Sequence, residues 1–191
     1  MNLELRQLAK DYDLDSEGNF NLSLAFAIAC VERVEHLLTD EAIQEAFNFG
    51  RRFLKNDCSF EDLQQTAAYA KQAATSHEGS NSLDGSGNAA VSVSHAVALA
   101  LAGKAIEAAE YAAYAKVYSY SSSAVTDLSA YKSEFQWQED KFRKLIEEFK
   151  KLKSLVLVLK VKSYIRFESG KLILNKRTLI HDSELSCTLK T

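Results

Sequence analysis

The sequence predicts a mainly α fold, an alanine-rich multi-helix bundle with a small C-terminal β-hairpin. Three observations carry this reading. The 191 residues include no proline and only seven glycines, so helices can run long and must be ended by glycine or short polar residues. Through the first 150 or so positions apolar residues recur at three- and four-residue intervals, the period of a helix face. From residue 154 the pattern turns to leucine- and valine-rich runs that suit strands.

Leu3 to Tyr12 predicts a short opening helix, followed by the polar break DLDSEGN at 13–19. Leu24, Ala27, Ile28, Val31, Val34 and Leu38 then share one face of a helix, with Glu32 and Glu35 beside the stripe. Thr39 or Asp40 reads as the N-cap of the next helix, lined by Ile43, Ala46, Phe47, Gly50, Phe53 and Leu54 and closed by Asn56 and Asp57. Ser59 with Asp62 resembles a capping box that opens a helix from about Phe60 to Ser76. The turn-rich segment at 77–88 follows. Two alanine-rich helices come next, split by Gly103 as a C-terminal cap, and their small side chains predict interior, closely packed helices.

The most regular pattern is Leu128, Tyr131, Phe135, Gln138, Phe142, Leu145, Phe149 and Leu152, alternating steps of three and four as in a heptad seam. It predicts a long helix from Val125 to Lys153 that serves either as the backbone of the bundle or as a homodimer contact over 128–152. The runs at 154–167 and 171–180, with ESGK at 168–171 between them, predict the hairpin. The expected organisation is a helical domain at 1–153 and a basic hairpin-like extension at 154–191.

Composition narrows the function classes. With 47% hydrophobic and 26% charged residues the chain is an ordinary globular one, not a disordered one. MNLELRQLAKDYDLD has neither part of a secretory signal, and no run of about 18 apolar residues occurs, so a cytoplasmic protein without membrane contact is expected. Cys30, Cys58 and Cys187 are too few and too far apart for a disulfide framework or a paired-cysteine metal site, and Cys30 reads as a small buried hydrophobe.

Sites for chemistry are scarce. His36, His77, His95 and His181 form no pair at metal-ligand spacing, although distant residues could still assemble a site. No nucleotide loop or nucleophile motif is present, and the carboxylates of DLDSEGN lack the later glutamate of a calcium loop. No cofactor is therefore expected. An enzyme with a dispersed site near His95 remains as a minor alternative, beside a structural reading of that histidine as a hydrogen-bonded interior residue.

Charge supplies a stronger signal. Residues 1–140 hold 10 Lys and Arg against 21 Asp and Glu, a balance of −11, whereas 141–191 carry +8. Such asymmetry predicts an electrostatic partner or docking of one part on the other. Glu32 and Glu35 in ACVERVEHLL, and Glu107 and Glu110 one turn apart on an alanine-rich helix, are the candidate partner-binding residues. Their bland alternative is a solvated helix edge. The tail lysines 150, 151, 153, 160 and 162 with Arg166 could meet phosphates, but few aromatics interleave them, so nucleic acid is not the expected partner.

AIACVERVEHLL at 27–38, EAIQEAFNFGRRFL at 41–54, the alanine-rich TAAYAKQAA, AAVSVSHAVALA and AAEYAAYA, and EFQWQEDKFRKL at 134–145 together resemble the Imm-5-like group of bacterial immunity proteins from polymorphic toxin systems. The resemblance spans roughly residues 20–148. It implies a non-enzymatic protein that neutralises a cognate protein toxin by binding it, and transfers no catalytic or contact residue. Joined to the acidic balance, it suggests a basic toxin such as a nuclease. A helical scaffold or self-associating protein is the competing expectation.

Overall fold

The computed structural model describes residues 1–76, 86–120, 127–168 and 171–174, with the side chains of 86–87, 156–168 and 171–174 outside the description. The chain is mainly helical and divides into two units, Met1–Glu148 and Phe149–Thr191. The first holds α1 (Leu3–Asp11), α2 (Phe20–Glu32), α3 (Glu41–Leu54), α4 (Phe60–Ser76), α5 (Ser86–Leu101), α6 (Ala105–Tyr118) and the start of α7 (Lys132–Tyr164). Short 3-10 turns at Glu17–Asn19, Glu35–Leu37 and Leu128–Tyr131 join some of them.

Without proline, three of these helices, α1, α3 and α5, stop by bending into the left-handed region. Asp13 (φ 49°), Asn56 (φ 61°) and Gly103 (φ 74°) each sit just past a helix end. The residue that follows each donates its amide back five positions, Leu14 to Ala9 at 2.9 Å, Asp57 to Arg52 at 3.1 Å and Lys104 to Leu99 at 2.9 Å. This closure satisfies carbonyls that a helix end leaves without partners. At Gly103 a Cβ would also lie 2.9 Å from Cε2 of Phe20. Gly103→Ala is expected to cost about 1–3 kcal/mol from left-handed strain, read as a lower urea midpoint with an unchanged slope.

The starts of α3 and α4 are capped where the local sequence predicts, and Asn2 caps α1. Asn2 accepts from the amide of Leu5 at 3.1 Å, and Asp40 accepts from Ala42 at 2.8 Å and Ile43 at 3.2 Å. Ser59 accepts from the amide of Asp62 at 3.1 Å while its hydroxyl donates to the Asp62 carboxylate at 2.6 Å. The carboxylate thus returns to the cap hydroxyl and not to a backbone amide.

α2 departs from its expected single apolar face. Leu22 through Leu24 and Phe26 through Val31 are all buried, so the helix is enclosed on every side, and it ends at Glu32 instead of continuing toward Leu38. A helix that is apolar all round belongs inside the bundle, and α2 packs on α3, α5 and α6. α5 and α6 form the most extensive helix pair, since Ala96, Ala100, Ala105, Ala108, Ala109 and Ala112 are at most 1% exposed and let the backbones approach. α3 meets α5 at Gly50, where a Cβ would lie 2.6 Å from Leu101 Cδ2.

The start of α7 closes the bundle with larger side chains. Phe142 is fully buried, its ring 4.9 Å from Phe26 and 6.4 Å, edge-on, from Tyr12. Gln138, the polar member of the seam, donates to the carbonyl of Ala109 at 2.8 Å. Arg33 grips the buried Glu134 with two nitrogens at 2.8–3.0 Å and lies 4.1 Å over Trp137. Of the 128–152 seam read as a bundle backbone or a homodimer contact, Gln138, Phe142 and Leu145 at the centre are buried inside the first unit.

Glu139, 6% exposed on α7, faces Glu4 of α1 and the amide of Asn2. Burial first, and the shared hydrogen bond with Glu4 second, hold its carboxyl above the usual glutamate range, while Asn2 and Arg143 pull the other way. The folded chain therefore keeps a proton that the unfolded chain releases, and stability falls as pH rises from the ordinary glutamate pKa through the raised one. Glu139→Gln should flatten that fall, and melting curves of both proteins across pH 4 to 8 check it.

The second unit, taken alone, continues α7 to Tyr164 and then carries β1 (Ile165–Glu168) and β2 (Lys171–Leu174), paired antiparallel with Ile165 opposite Leu174. The strand expected from residue 154 is corrected, because 154–164 is helical. Extending an existing helix avoids the nucleation penalty, and leucine and lysine favour it. The remainder of the expected second arm, 175–180, and residues 77–85 of the predicted loop lie outside the described residues.

Candidate partner-binding face

The four candidate carboxylates fall into two separate groups. Glu32 and Glu35, at the end of α2 and in the 3-10 turn after it, converge on Arg51 of α3, which reaches Glu32 at 3.2 Å and Glu35 at 2.7 Å. The guanidinium also lies 4.3 Å over Phe47. That hydrogen bond, outweighing partial burial, holds the Glu35 carboxyl below the usual range and raises Arg51. The pair is a clip between α2 and α3, and two carboxylates on one guanidinium leave one net negative charge there.

Glu110 of α6 accepts from Arg6 of α1 at 2.9 and 3.1 Å and is mostly buried. Glu107, one turn earlier, is exposed, and among the described residues no ion pair is found for it. Of the four, Glu32 and Glu107 are exposed, and Glu107 is the one without an ion pair among the described residues.

What sequence reasoning missed lies on the same helix. Tyr111, Tyr114 and Tyr118 follow Glu107 at steps of four, three and four, a single stripe along α6. The other faces of α6 are alanine, isoleucine and valine packed into the bundle, so the large rings point away from it. The spacing was visible, but the alanine content read as a wholly interior helix.

The stripe meets the 3-10 turn Leu128–Tyr131 and Ser92 of α5 around a cavity of about 370 Å³ edged by Met1. Tyr111 and Tyr114 stand edge to face at 6.1 Å and 89°, and Tyr114 and Tyr131 at 5.6 Å and 88°. Tyr131 stacks on Phe135 at 5.5 Å and packs on Ala113 and Val117. His95 of α5 lies 5.3 Å from Tyr111, so it buttresses the stripe. Around the cavity Met1 and Leu128 are more than 60% exposed, and Tyr111 and Tyr114 are each 37% exposed. Exposed tyrosines and apolar side chains gathered with a carboxylate are the composition of a protein-binding surface.

Burial, followed by the phenols of Tyr118, Tyr114 and Tyr120, pushes Tyr131 up to about 12. Tyr131 therefore keeps its phenol proton at physiological pH.

The family model described as Imm-5 like putative immunity protein matches residues 21–145. The chain belongs to that family. The match spans α2 through the buried part of α7, so the Imm-5-like region contains α6, its tyrosines and both carboxylate groups. No curated protein and no solved structure matches the chain.

Other features lead less far. A groove of about 360 Å³ between α3 and α4 is lined by Glu45, Phe49, Arg52 and Tyr69 among others, with Arg52 5.0 Å over Phe49. Its acid and its base balance each other. Cys30 is buried, and burial raises its thiol well above the usual range. Among the described residues no group of three or more metal-ligating side chains is found, and no helix is long and apolar enough to cross a membrane.

Proposed function

We propose that this protein binds and neutralises a cognate bacterial toxin in the cytoplasm, without catalysis or cofactor, by covering it with the tyrosine and carboxylate face of α6. The single observation that carries the reading is the exposed ring stripe headed by Glu107 in a chain of the Imm-5-like family. Tyrosine brings large contact area at small entropy cost and is enriched where interface energy concentrates. The −11 balance over residues 1–140 favours a basic toxin, as a nuclease would be. Residues 154–191 are read as a basic extension.

Glu32 and Glu35 share the one guanidinium of Arg51, which leaves one net negative charge at that edge, so they are read as a secondary rim. Glu107 is read as the main charged contact. Glu107→Lys should slow association several-fold at low salt and leave dissociation nearly unchanged, as expected of a rim charge. Stopped-flow binding at two ionic strengths checks this.

The decisive experiment pairs this chain with a toxin domain sought among the genes that neighbour its own. Co-expression should restore growth to cells producing the toxin, and the two purified proteins should elute together at low salt. Growth arrest despite co-expression, with no complex formed, overturns the reading.

A further inference from the structure

The heptad seam of α7 does not end with the bundle. Leu145 is buried in the first unit, and the same three-and-four spacing runs on in the sequence through Phe149 and Leu152 to Val156 and Leu159. In the second unit, taken alone, Phe149 is half-buried, whereas Leu152 is 57% and Leu155 55% exposed. Two leucines more than half exposed, one turn apart on a helix, make an apolar face that calls for a cover. The helix there continues to Tyr164, about 24 Å or two heptads at roughly 1.5 Å per residue.

The register says what the cover is. With Phe149 and Val156 at a, and Leu152 and Leu159 at d, Leu155 falls at g, a position that coiled coils usually fill with charge. In an antiparallel pair of identical helices g faces g, so Leu155 meets its own copy beside the two-fold axis. A parallel pair would set it against the lysine at position 160. The g position before it is Glu148, exposed and without an ion pair among the described residues, and the g position after it is a lysine, 162. Antiparallel pairing therefore sets position 148 of each copy opposite position 162 of the other, an acid against a base on both sides of the axis. Lys153, at e, faces its own copy, one repulsion against two attractions.

Charge along the whole chain favours the same direction. Antiparallel helices bring residues 141–191 of each copy, which carry +8, toward the −11 half of the other, whereas parallel helices set like beside like.

We infer that the face of α7 beyond residue 148 joins two copies of this chain, the two 149–164 helices pairing antiparallel about a two-fold axis beside Leu155. Such a contact is isologous, the same patch serving both copies. None of the residues assigned to the toxin takes part, so the contact stands or falls apart from toxin binding. Two heptads bury a small area, and the association is correspondingly weak and concentration-dependent.

Sedimentation equilibrium of the full chain tests it. The mass should rise from 21.3 kDa toward twice that value as the concentration climbs to about 1 mM. Leu155→Glu should weaken the association by at least about tenfold, since it removes a buried leucine from each copy and sets two carboxylates together. Leu155 is exposed in the single chain, so this variant should melt near the parent protein. Glu148→Lys should weaken pairing several-fold, and adding Lys162→Glu should restore it.

A mass that stays at 21.3 kDa at every concentration, or an association that Leu155→Glu leaves intact, overturns the inference. Rescue of Glu148→Lys by Lys153→Glu in place of Lys162→Glu marks a parallel pair and overturns the antiparallel arrangement. A chain that stays monomeric yet sediments with phosphatidylserine-containing vesicles, and loses them on Leu155→Glu, also overturns it, because the face then belongs to a membrane surface.

Discussion

Replacing Tyr111 and Tyr114 together by alanine should weaken the complex with the toxin by roughly thirty- to a thousandfold, equivalent to about 2–4 kcal/mol. Both rings are 37% exposed and pack edge to face, so each presents area to a partner while its neighbour fixes its orientation. Pre-set rings lose little entropy on binding, which is why such residues dominate interface energies. The change should fall mainly on dissociation, since the stripe provides contact area and Glu107 provides steering. Calorimetry gives the affinity and surface binding kinetics the rates. The same variant should unfold close to the parent midpoint, because the rings touch the core on one side only. A matching loss of stability would mean that the tyrosines are structural.

Phe142→Ala should have the largest effect on folding. The side chain is fully buried between Phe26 and Tyr12, and removing it deletes the contact that joins α7 to α2 and to the end of α1. Substitutions of this kind cost about 3–5 kcal/mol, the lost transfer energy plus the cavity left behind. In a chain of this size that lowers the melting temperature by roughly 10 °C or more. Elution volume should stay that of the parent protein. A change of oligomeric state without loss of melting temperature would instead place Phe142 at a contact between copies, as the seam alone allows.

Local chemistry made much of the fold legible. Asp40, Ser59, Asn56 and Gly103 mark helix ends through interactions with their own backbone neighbours, so their roles need no knowledge of the rest of the chain. The seam of α7 was equally plain, but a repeat of apolar residues cannot say whether it faces another part of the same chain or another copy. Phe26 answers that, 116 positions away in the sequence.

The carboxylates show the same limit. Glu32 and Glu35 look solvated in ACVERVEHLL, and only the packing of α3 on α2 brings Arg51 onto them. Glu110 is claimed by Arg6 from α1. The tyrosine stripe was hidden for the opposite reason, since its residues are local but its outward direction depends on which face of α6 the alanines bury. At the C-terminal end, strand-like valines and leucines over 154–164 follow a helix already formed, and the helix continues through them.

Tyrosine labelling of the purified toxin complex, read by mass spectrometry, tests the assigned face most directly. Tyr111 and Tyr114 should be modified far more slowly in the complex than in the chain alone, while Tyr69, 57% exposed in the α3–α4 groove, should react equally in both. Protection of Tyr69 with Tyr111 and Tyr114 still reactive would contradict the account.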